Sequence, residues 1–292
     1  MAPSVPLAVI GGSGLDRMEG LRVLEEVRPS TPFGEPSDTI LIGEVEGVRV
    51  AFLPRHGRGH RIAPSALPVR ANLFALKTLG VERVISVSAV GSLREEIHPL
   101  DLVVPDQVID RTSRRPSTFF EEGPVVHIAF ADPFCPILSR TIAQGAEAVG
   151  ARVHRGGTYI CIEGPAFSTR AESFLYRSWG AHIIGMTALP EAKMAREAEM
   201  CYAILAVVTD YDVWHPTHDQ VTVEMVLQNL RQGTALAQRA LRRILPAVPP
   251  ERSCPCATAL KNAIATAPDA IPPHTRQRLA PLLGKYLPPP VP

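Results

Sequence analysis

The chain has 292 residues, and its 30 Lys and Arg nearly balance 29 Asp and Glu, for a formal net charge of +1. That balance argues against a general nucleic-acid or membrane-surface binder, and no run reaches the roughly 18–20 apolar residues of a membrane-spanning helix. With 46% hydrophobic and 20% charged residues, the chain is expected to be globular, with a core large enough for one large domain or two small ones.

Pro6 to Ile10 is a short apolar run that feeds Gly11-Gly12-Ser13-Gly14, which predicts a buried strand and a glycine loop. Thr39 to Ile42 and Val48 to Leu53 predict strands around a turn at Glu46-Gly47. Val69 to Leu79 has helical spacing and stops at Gly80. Arg83 to Val90 and Leu102 to Val108 predict two further strands. A helix is expected from Pro136 to Val149, then a strand from Thr158 to Ile162. Thr169 and Glu172 have the spacing of a capping box, opening a helix through about Trp179. Ile183 and Ile184 lead into Gly185-Met186-Thr187, and Pro190 suits the first position of a helix through Met200. Tyr202 to Thr209 predicts a strongly apolar strand, and Val223, Val226, Leu227 and Leu230 mark one face of a helix to about Leu245. Strand and helix alternate, so the expected class is α/β with a largely buried sheet.

Residues 1–246 are expected to form the main domain. Residues 247–283 read as a proline-rich linker and a short helical extension, with a helix at 257–265, packed on the domain or a neighbouring subunit. Residues 284–292, ending in Pro288-Pro289-Pro290-Val291-Pro292, read as a disordered tail. Met1 to Ile10 lacks the positive region of a signal peptide, and five scattered cysteines do not make a secreted disulfide framework, so a cytoplasmic location is expected.

Four polar, glycine-marked segments follow strands: Gly12-Ser13-Gly14, Arg55-His56-Gly57, Ser88-Ala89-Val90-Gly91 and Met186-Thr187. In open α/β sheets ligands bind outside the carboxyl ends of strands. Small hydroxyls, amides beside glycine, one guanidinium and one imidazole suit a tetrahedral oxyanion such as phosphate. Each segment alone is as compatible with a plain turn; four together carry the argument. The dinucleotide pattern fails because Arg17 stands at the third glycine position, and no P-loop pattern occurs.

Asp210 and Asp212 alternate just after the most apolar strand, so both can project to one side. A partly buried carboxyl there can hold a proton and donate it to purine N7, while its neighbour accepts from an exocyclic amine. A loop-capping pair is the other reading. Phe167 and Ser168 fit either a base-stacking wall with a polar contact or a core ring with a helix cap. Val223 and Val226, on the apolar helix face, are by default core. Metal readings are weak: His56 and His60 lack the zincin context, His215 and His218 lack a third ligand, and Cys254-Pro255-Cys256 is a short spacing with no second pair. Cys135 reads as a core cysteine.

Ile10-Gly11-Gly12-Ser13-Gly14-Leu15, Thr31-Pro32-Phe33-Gly34, Arg55-His56-Gly57-Arg58, Gly91-Ser92-Leu93-Arg94-Glu95-Glu96 and Ile109-Asp110-Arg111-Thr112 occur in that order. Glu163-Gly164-Pro165, Arg170-Ala171-Glu172-Ser173, Met186-Thr187 and Thr209-Asp210-Tyr211-Asp212 follow. From about Leu7 to Leu245, this series resembles the purine nucleoside phosphorylase / methylthioadenosine phosphorylase family. The resemblance implies a three-layer α/β fold, with a central twisted mixed sheet flanked by helices. It implies metal-free phosphorolysis of methylthioadenosine to adenine and 5-methylthioribose 1-phosphate, with inorganic phosphate as co-substrate and no cofactor. By the same resemblance Ser13, Arg55, His56, Ser88, Ala89 and Thr187 form the phosphate site, and Met186 packs under the ribose. Asp210 and Asp212 read the base, Asp210 as the acid. Phe167, Ser168, Val223 and Val226 wall the base and methylthio pockets. His127 reaches a neighbouring subunit's pocket, which implies a homotrimer or a dimer of trimers.

Two departures follow. Gly185 stands where many relatives have asparagine, and some relatives with glycine there prefer a 6-oxopurine, so a methylthioinosine or purine nucleoside phosphorylase is the alternative. Cys254-Pro255-Cys256 resembles a disulfide of relatives from hot environments, and Cys135 and Cys201 also fall at their cysteine positions.

Overall fold

The computed structural model describes residues 5–12, 14–121, 123–216 and 223–287. The strands are β1 (Leu7–Gly11), β2 (Arg22–Val27), β3 (Ile40–Val45), β4 (Val48–Pro54), β5 (Arg83–Ser92), β6 (Leu102–Val104), β7 (Gln107–Arg111), β8 (Val153–Arg155), β9 (Thr158–Ile162), β10 (Ile183–Gly185) and β11 (Cys201–Asp210). The helices are α1 (Val69–Thr78), α2 (Pro136–Glu147), α3 (Arg170–Ser178), α4 (Ala188–Glu197), α5 (Val223–Ala247), α6 (Pro273–Arg278) and α7 (Ala280–Leu283). The α/β expectation holds: the strands join one mixed sheet, in the order β2-β3-β4-β1-β5-β10-β9-β7. A second branch leaves β5 through β11, β6 and β8.

All ten residues of β11 are buried. A strand apolar on both faces needs cover on both. Tyr202, Ile204, Ala206 and Val208 pack in one core cluster with Leu73 of α1 and Met194 of α4. Ala203, Leu205 and Val207 pack in another with Ile142 of α2 and Leu241 of α5. The period-two alternation of a strand thus splits the core into the two outer layers of the sandwich.

Several expectations shift. The strand foreseen from Leu102 to Val108 is two strands, β6 and β7, separated at Pro105-Asp106, where proline cannot donate to a ladder. Edge strand β2 has no apolar alternation and was not foreseen; four of its six residues are exposed. Helix α4 is broken at Leu189, whose extended dihedrals precede Pro190, so its regular part starts at Pro190 as expected; it ends at Glu197, three residues before Met200. The capping box at Thr169 and Glu172 is formed in full. No α-helix spans 257–265; a 3-10 turn at Pro255–Thr258 and a left-handed Asn262 take its place.

The C-terminal region packs on the main domain. Leu260, Ile271, Leu279, Leu282 and Leu283 join its core. Glu199 accepts from the Leu260 N–H at 3.1 Å, the Lys285 Nζ at 3.1 Å, and the Tyr286 hydroxyl. The tail expected from 284 does not start there, since Leu287 is 8% exposed and inside that core; residues 288–292 lie outside the described residues.

Candidate active site

The site is built where β5 forks. Along its length β5 pairs in parallel with β11, ending at Gly91 opposite Asp210. At Gly91 and Ser92 it turns to pair with β10. A Cβ on Gly91 would stand 2.8 Å from Asp210 Oδ1 and 3.0 Å from Ile184 Cγ2, so only glycine lets the carboxylate lie over the fork. Two neighbouring strands that diverge open a crevice at their carboxyl ends.

Asp210 is 7% exposed. Its Oδ1 accepts the Asp212 N–H at 2.8 Å, and Thr209 Oγ1 lies 2.7 Å from its Oδ2. The same Thr209 oxygen is 3.2 Å from the Val90 carbonyl. One hydroxyl proton can serve only one of these acceptors. Thr209 therefore donates to an ionised Asp210, or accepts from a protonated Asp210 and donates to Val90. Burial pushes the Asp210 carboxyl up to about 6, against the hydrogen bonds from Thr209 and Asp212 and with the help of the neighbouring Asp212 charge. Asp212 is also raised by burial, and Ser173 and Ser168 lie beside it. Among the described residues, Asp212 Oδ2, Ser168 Oγ and Ser173 Oγ are buried without a hydrogen-bond partner in good geometry. Three such atoms together mark a place where a ligand completes the bonding. Asp212 holds its position with a left-handed φ of 51°, a conformation Asp tolerates better than most residues.

Across the crevice, Ser88 Oγ on β5 lies 3.1 Å from Thr187 Oγ1, just after β10. Ala89, the next residue on β5, is exposed toward the cleft end. Arg55 and His56 follow β4, and the Arg55 N–H bonds Gly11 O at 2.9 Å, tying this turn to the end of β1. His56 Nδ1 lies 2.8 Å from the Ile62 carbonyl. A carbonyl only accepts, so Nδ1 carries the proton and Nε2 presents a lone pair. Burial, with the Arg55 charge, lowers His56 to about 4, so its ring is neutral at pH 7.

Arg55 differs from its expected posture. Its forked edge faces Glu191, with Nε to Oε1 at 2.5 Å and Nη2 to Oε2 at 3.2 Å. Nη1 donates to Val87 O and Nη2 to Ser86 Oγ. The guanidinium is 2% exposed, and a single Nη1 proton is left for a ligand.

Phe167 is 44% exposed, which favours a wall over a core ring. Met186 packs across Gly164, whose left-handed φ of 64° brings that turn under the thioether. Ser13 lies outside the described residues. Val223 and Val226 begin α5, but their side chains also lie outside the described part. His127 is exposed, and its N–H donates to Ala263 O at 2.8 Å. Among the described residues its side chain bonds none of the other site residues.

Three residues that shape the site were not foreseen. Arg115 is buried and donates to Glu163 Oε1, to the Met186 and Leu189 carbonyls, and to the Ile162 and Glu163 carbonyls. It locks the 162–164 turn to the 186–189 turn. Glu191 neutralises Arg55 and also accepts the Tyr202 hydroxyl at 2.9 Å. Tyr159 is fully buried, and among the described residues its hydroxyl has no hydrogen-bond partner in good geometry; a Cβ on Gly185 would stand 2.0 Å from it. Gly185 is glycine because the Tyr159 phenol fills the space a side chain would need. The only sequence signals were a tyrosine inside a strand and a polar residue inside a buried helix.

The family model of the phosphorylase superfamily matches residues 6–246. The S-methyl-5′-thioadenosine phosphorylase of Geobacter sulfurreducens is 55% identical over 282 residues, 96% of this chain and 99% of its own. That of Chloroflexus aurantiacus is 56% identical over 284 residues, covering 97% and 99%. A crystal structure of a methylthioadenosine phosphorylase from an antarctic soil metagenomic library superposes with a TM-score of 0.92 at 48% identity, covering 96% of this chain and 99% of that one. With the forked sheet, the buried carboxyl pair and near full-length identity in agreement, the chain belongs to the phosphorylase superfamily and, within it, to the S-methyl-5′-thioadenosine phosphorylase family.

Proposed function

We propose that the chain cleaves S-methyl-5′-thioadenosine with inorganic phosphate, giving adenine and 5-methylthioribose 1-phosphate. The observation that carries this reading is the Asp210–Thr209–Asp212 group, with a raised carboxyl and a vacant Asp212 oxygen, facing hydroxyls across the fork.

Phosphate sits against Ser13, Ser88, Ala89 and Thr187. His56 Nε2 accepts a hydrogen bond from a protonated phosphate oxygen, and Arg55 donates its one remaining Nη1 proton. A phosphate oxygen attacks C1′ as the bond from C1′ to N9 breaks, and the electron pair leaves with the purine. Asp210 gives its proton to N7, so adenine departs neutral. General-acid help of this kind is worth roughly 10²–10⁴-fold. Asp212 Oδ2 accepts the 6-amino group. A 6-oxo group would set its lone pairs against Asp212 Oδ2 unless Asp212 were protonated, which disfavours methylthioinosine. Phe167, Met186, Val223 and Val226 enclose the base and the methylthio group.

A homotrimer is part of this reading, with His127 reaching the neighbouring pocket. Phe174, Leu175 and Trp179 on and after α3 are each more than two-fifths exposed. Such an apolar patch fits a second copy of the chain. We also place the enzyme in the cytoplasm, in methionine and purine salvage; its five cysteines are all unpaired, as in a reducing compartment. Among the described residues no helix is long and apolar enough to cross a membrane.

Reaction in phosphate labelled with heavy oxygen tests the chemistry. Phosphorolysis puts labelled oxygen at C1′ of a sugar phosphate. Free methylthioribose, made equally fast without phosphate, would overturn it.

A further inference from the structure

Far from the fork, four cysteines converge. Cys135 stands at the N-terminus of α2, Cys201 opens β11, and Cys254 and Cys256 flank Pro255 after α5. Their sulfurs all lie within 4.8 Å of one another. The short Cys254-Pro255-Cys256 spacing looked insufficient in sequence because its partners are far away along the chain. The fold supplies that second pair.

We propose that Cys135, Cys201, Cys254 and Cys256 form a tetrathiolate site for a soft divalent cation of zinc's class. Tetrahedral zinc with bonds of about 2.3 Å holds its sulfurs about 3.8 Å apart. The cluster is close to that size, with Cys201 and Cys254 sulfurs 3.3 Å apart. That contact joins Cys201 to Cys254 and lies outside the Cys254–Cys256 pair that resembles a disulfide. Only small side-chain adjustments are needed to reach the tetrahedron.

The surroundings suit bound thiolates. The thiols of Cys201 and Cys256 and the Leu138 N–H at the start of α2 lie against Cys135 Sγ. A helix N-terminus favours a thiolate. Four thiolates on one divalent ion leave two negative charges, and Arg83 and Arg252 line the adjoining cavity. Both arginines also contact Glu82 at its solvent edge, at 3.2 Å and 3.4 Å. Binding releases the remaining thiol protons to water. No oxidant is involved.

The site joins the domain to its C-terminal region. Cys201 and Cys135 belong to the sheet and its covering helix, while Cys254 and Cys256 lead into residues 257–287. The ion would be a structural clamp, closed to substrate.

The test uses full-length protein made without a histidine tag and measured for metal after gel filtration. The expected result is one zinc per chain. Exchange for cobalt should give the visible bands of a tetrahedral thiolate site. Cys254→Ser combined with Cys256→Ser should lose the metal and make the C-terminal region cleavable by protease, with the turnover of methylthioadenosine unchanged. Metal-free protein with four alkylatable thiols after exposure to zinc would overturn the proposal. So would an intact mass short of two hydrogens per pair, which reports disulfides.

Discussion

Strand β11 ends in a carboxyl pair and begins in a thiol, roughly 30 Å apart by the rise of an extended strand. At the carboxyl end, side chains are held by neighbours but keep atoms in reserve. Among the described residues, Asp212 Oδ2, Ser168 Oγ and Ser173 Oγ have no hydrogen-bond partner in good geometry, and Arg55 and His56 each keep one bonding position. At the amino end the four sulfurs face one another, beside a cavity of only about 10 Å³. A site for turnover needs unspent bonding capacity and an entrance. A site for holding needs closure. The same buried strand supports both because its middle is apolar on both faces and fixes its two ends rigidly.

The largest effect is expected from the support of the active end. Glu191→Ala leaves the Arg55 guanidinium buried without its counter-charge. Stripping one partner from a buried pair costs about 3–5 kcal/mol, read as a lower urea midpoint. A shift equivalent to less than 1 kcal/mol would mean water reaches Arg55 and the pair is not a keystone.

Asp210→Asn comes next. Adenine release should fall by about two to three orders of magnitude with the fold intact. A loss under roughly tenfold would place leaving-group protonation elsewhere. The pH profile sharpens this. Asp210 is raised to about 6, so kcat/KM should fall as pH rises past that value, and the Asn variant should lack that limb. Stability follows the same sign. The folded state holds the Asp210 proton more tightly than the unfolded chain, so stability declines between about pH 4 and pH 6. The Asn variant should show a flatter decline across that window.

A smaller effect tests the Tyr159–Gly185 interlock. Gly185→Asn should be overpacked and cost about 1–3 kcal/mol. Tyr159→Ala in the same chain should recover part of that loss by opening the space. No recovery would mean Gly185 is required for its backbone and not for room.

The smallest effect on catalysis is expected at the amino end. Chelation, or loss of Cys256, should leave kcat unchanged while lowering the melting temperature. A matching loss of kcat would show that the two ends are coupled.

Much of the active end was legible because its signals are local. Ser88, Thr187, Arg55, His56, Asp210 and Asp212 each stand beside a glycine or at the end of an apolar run, and the structure brings the ends of β5, β10 and β11 to one fork. Their supports were not legible. Arg55 and Glu191 are 136 positions apart, and Arg115 reaches turns 47 to 74 positions away. Such pairs carry no periodicity, and only the folded sheet brings them together. The thiol end failed for the same reason, since Cys201 and Cys254 are 53 positions apart. In the fold, the apolar patterns of β5 and β11 were readable, whereas the split of one expected strand at Pro105-Asp106 and the early end of α4 at Glu197 depended on local backbone geometry that composition does not report.

The central claim is that the carboxyl pair at the fork reads a 6-aminopurine and that phosphate attacks its sugar. Base release from methylthioadenosine and methylthioinosine, side by side and with or without phosphate, tests it most directly. The account predicts adenine release that requires phosphate and a much slower release of hypoxanthine. Hypoxanthine release alone, or adenine release indifferent to phosphate, would contradict it.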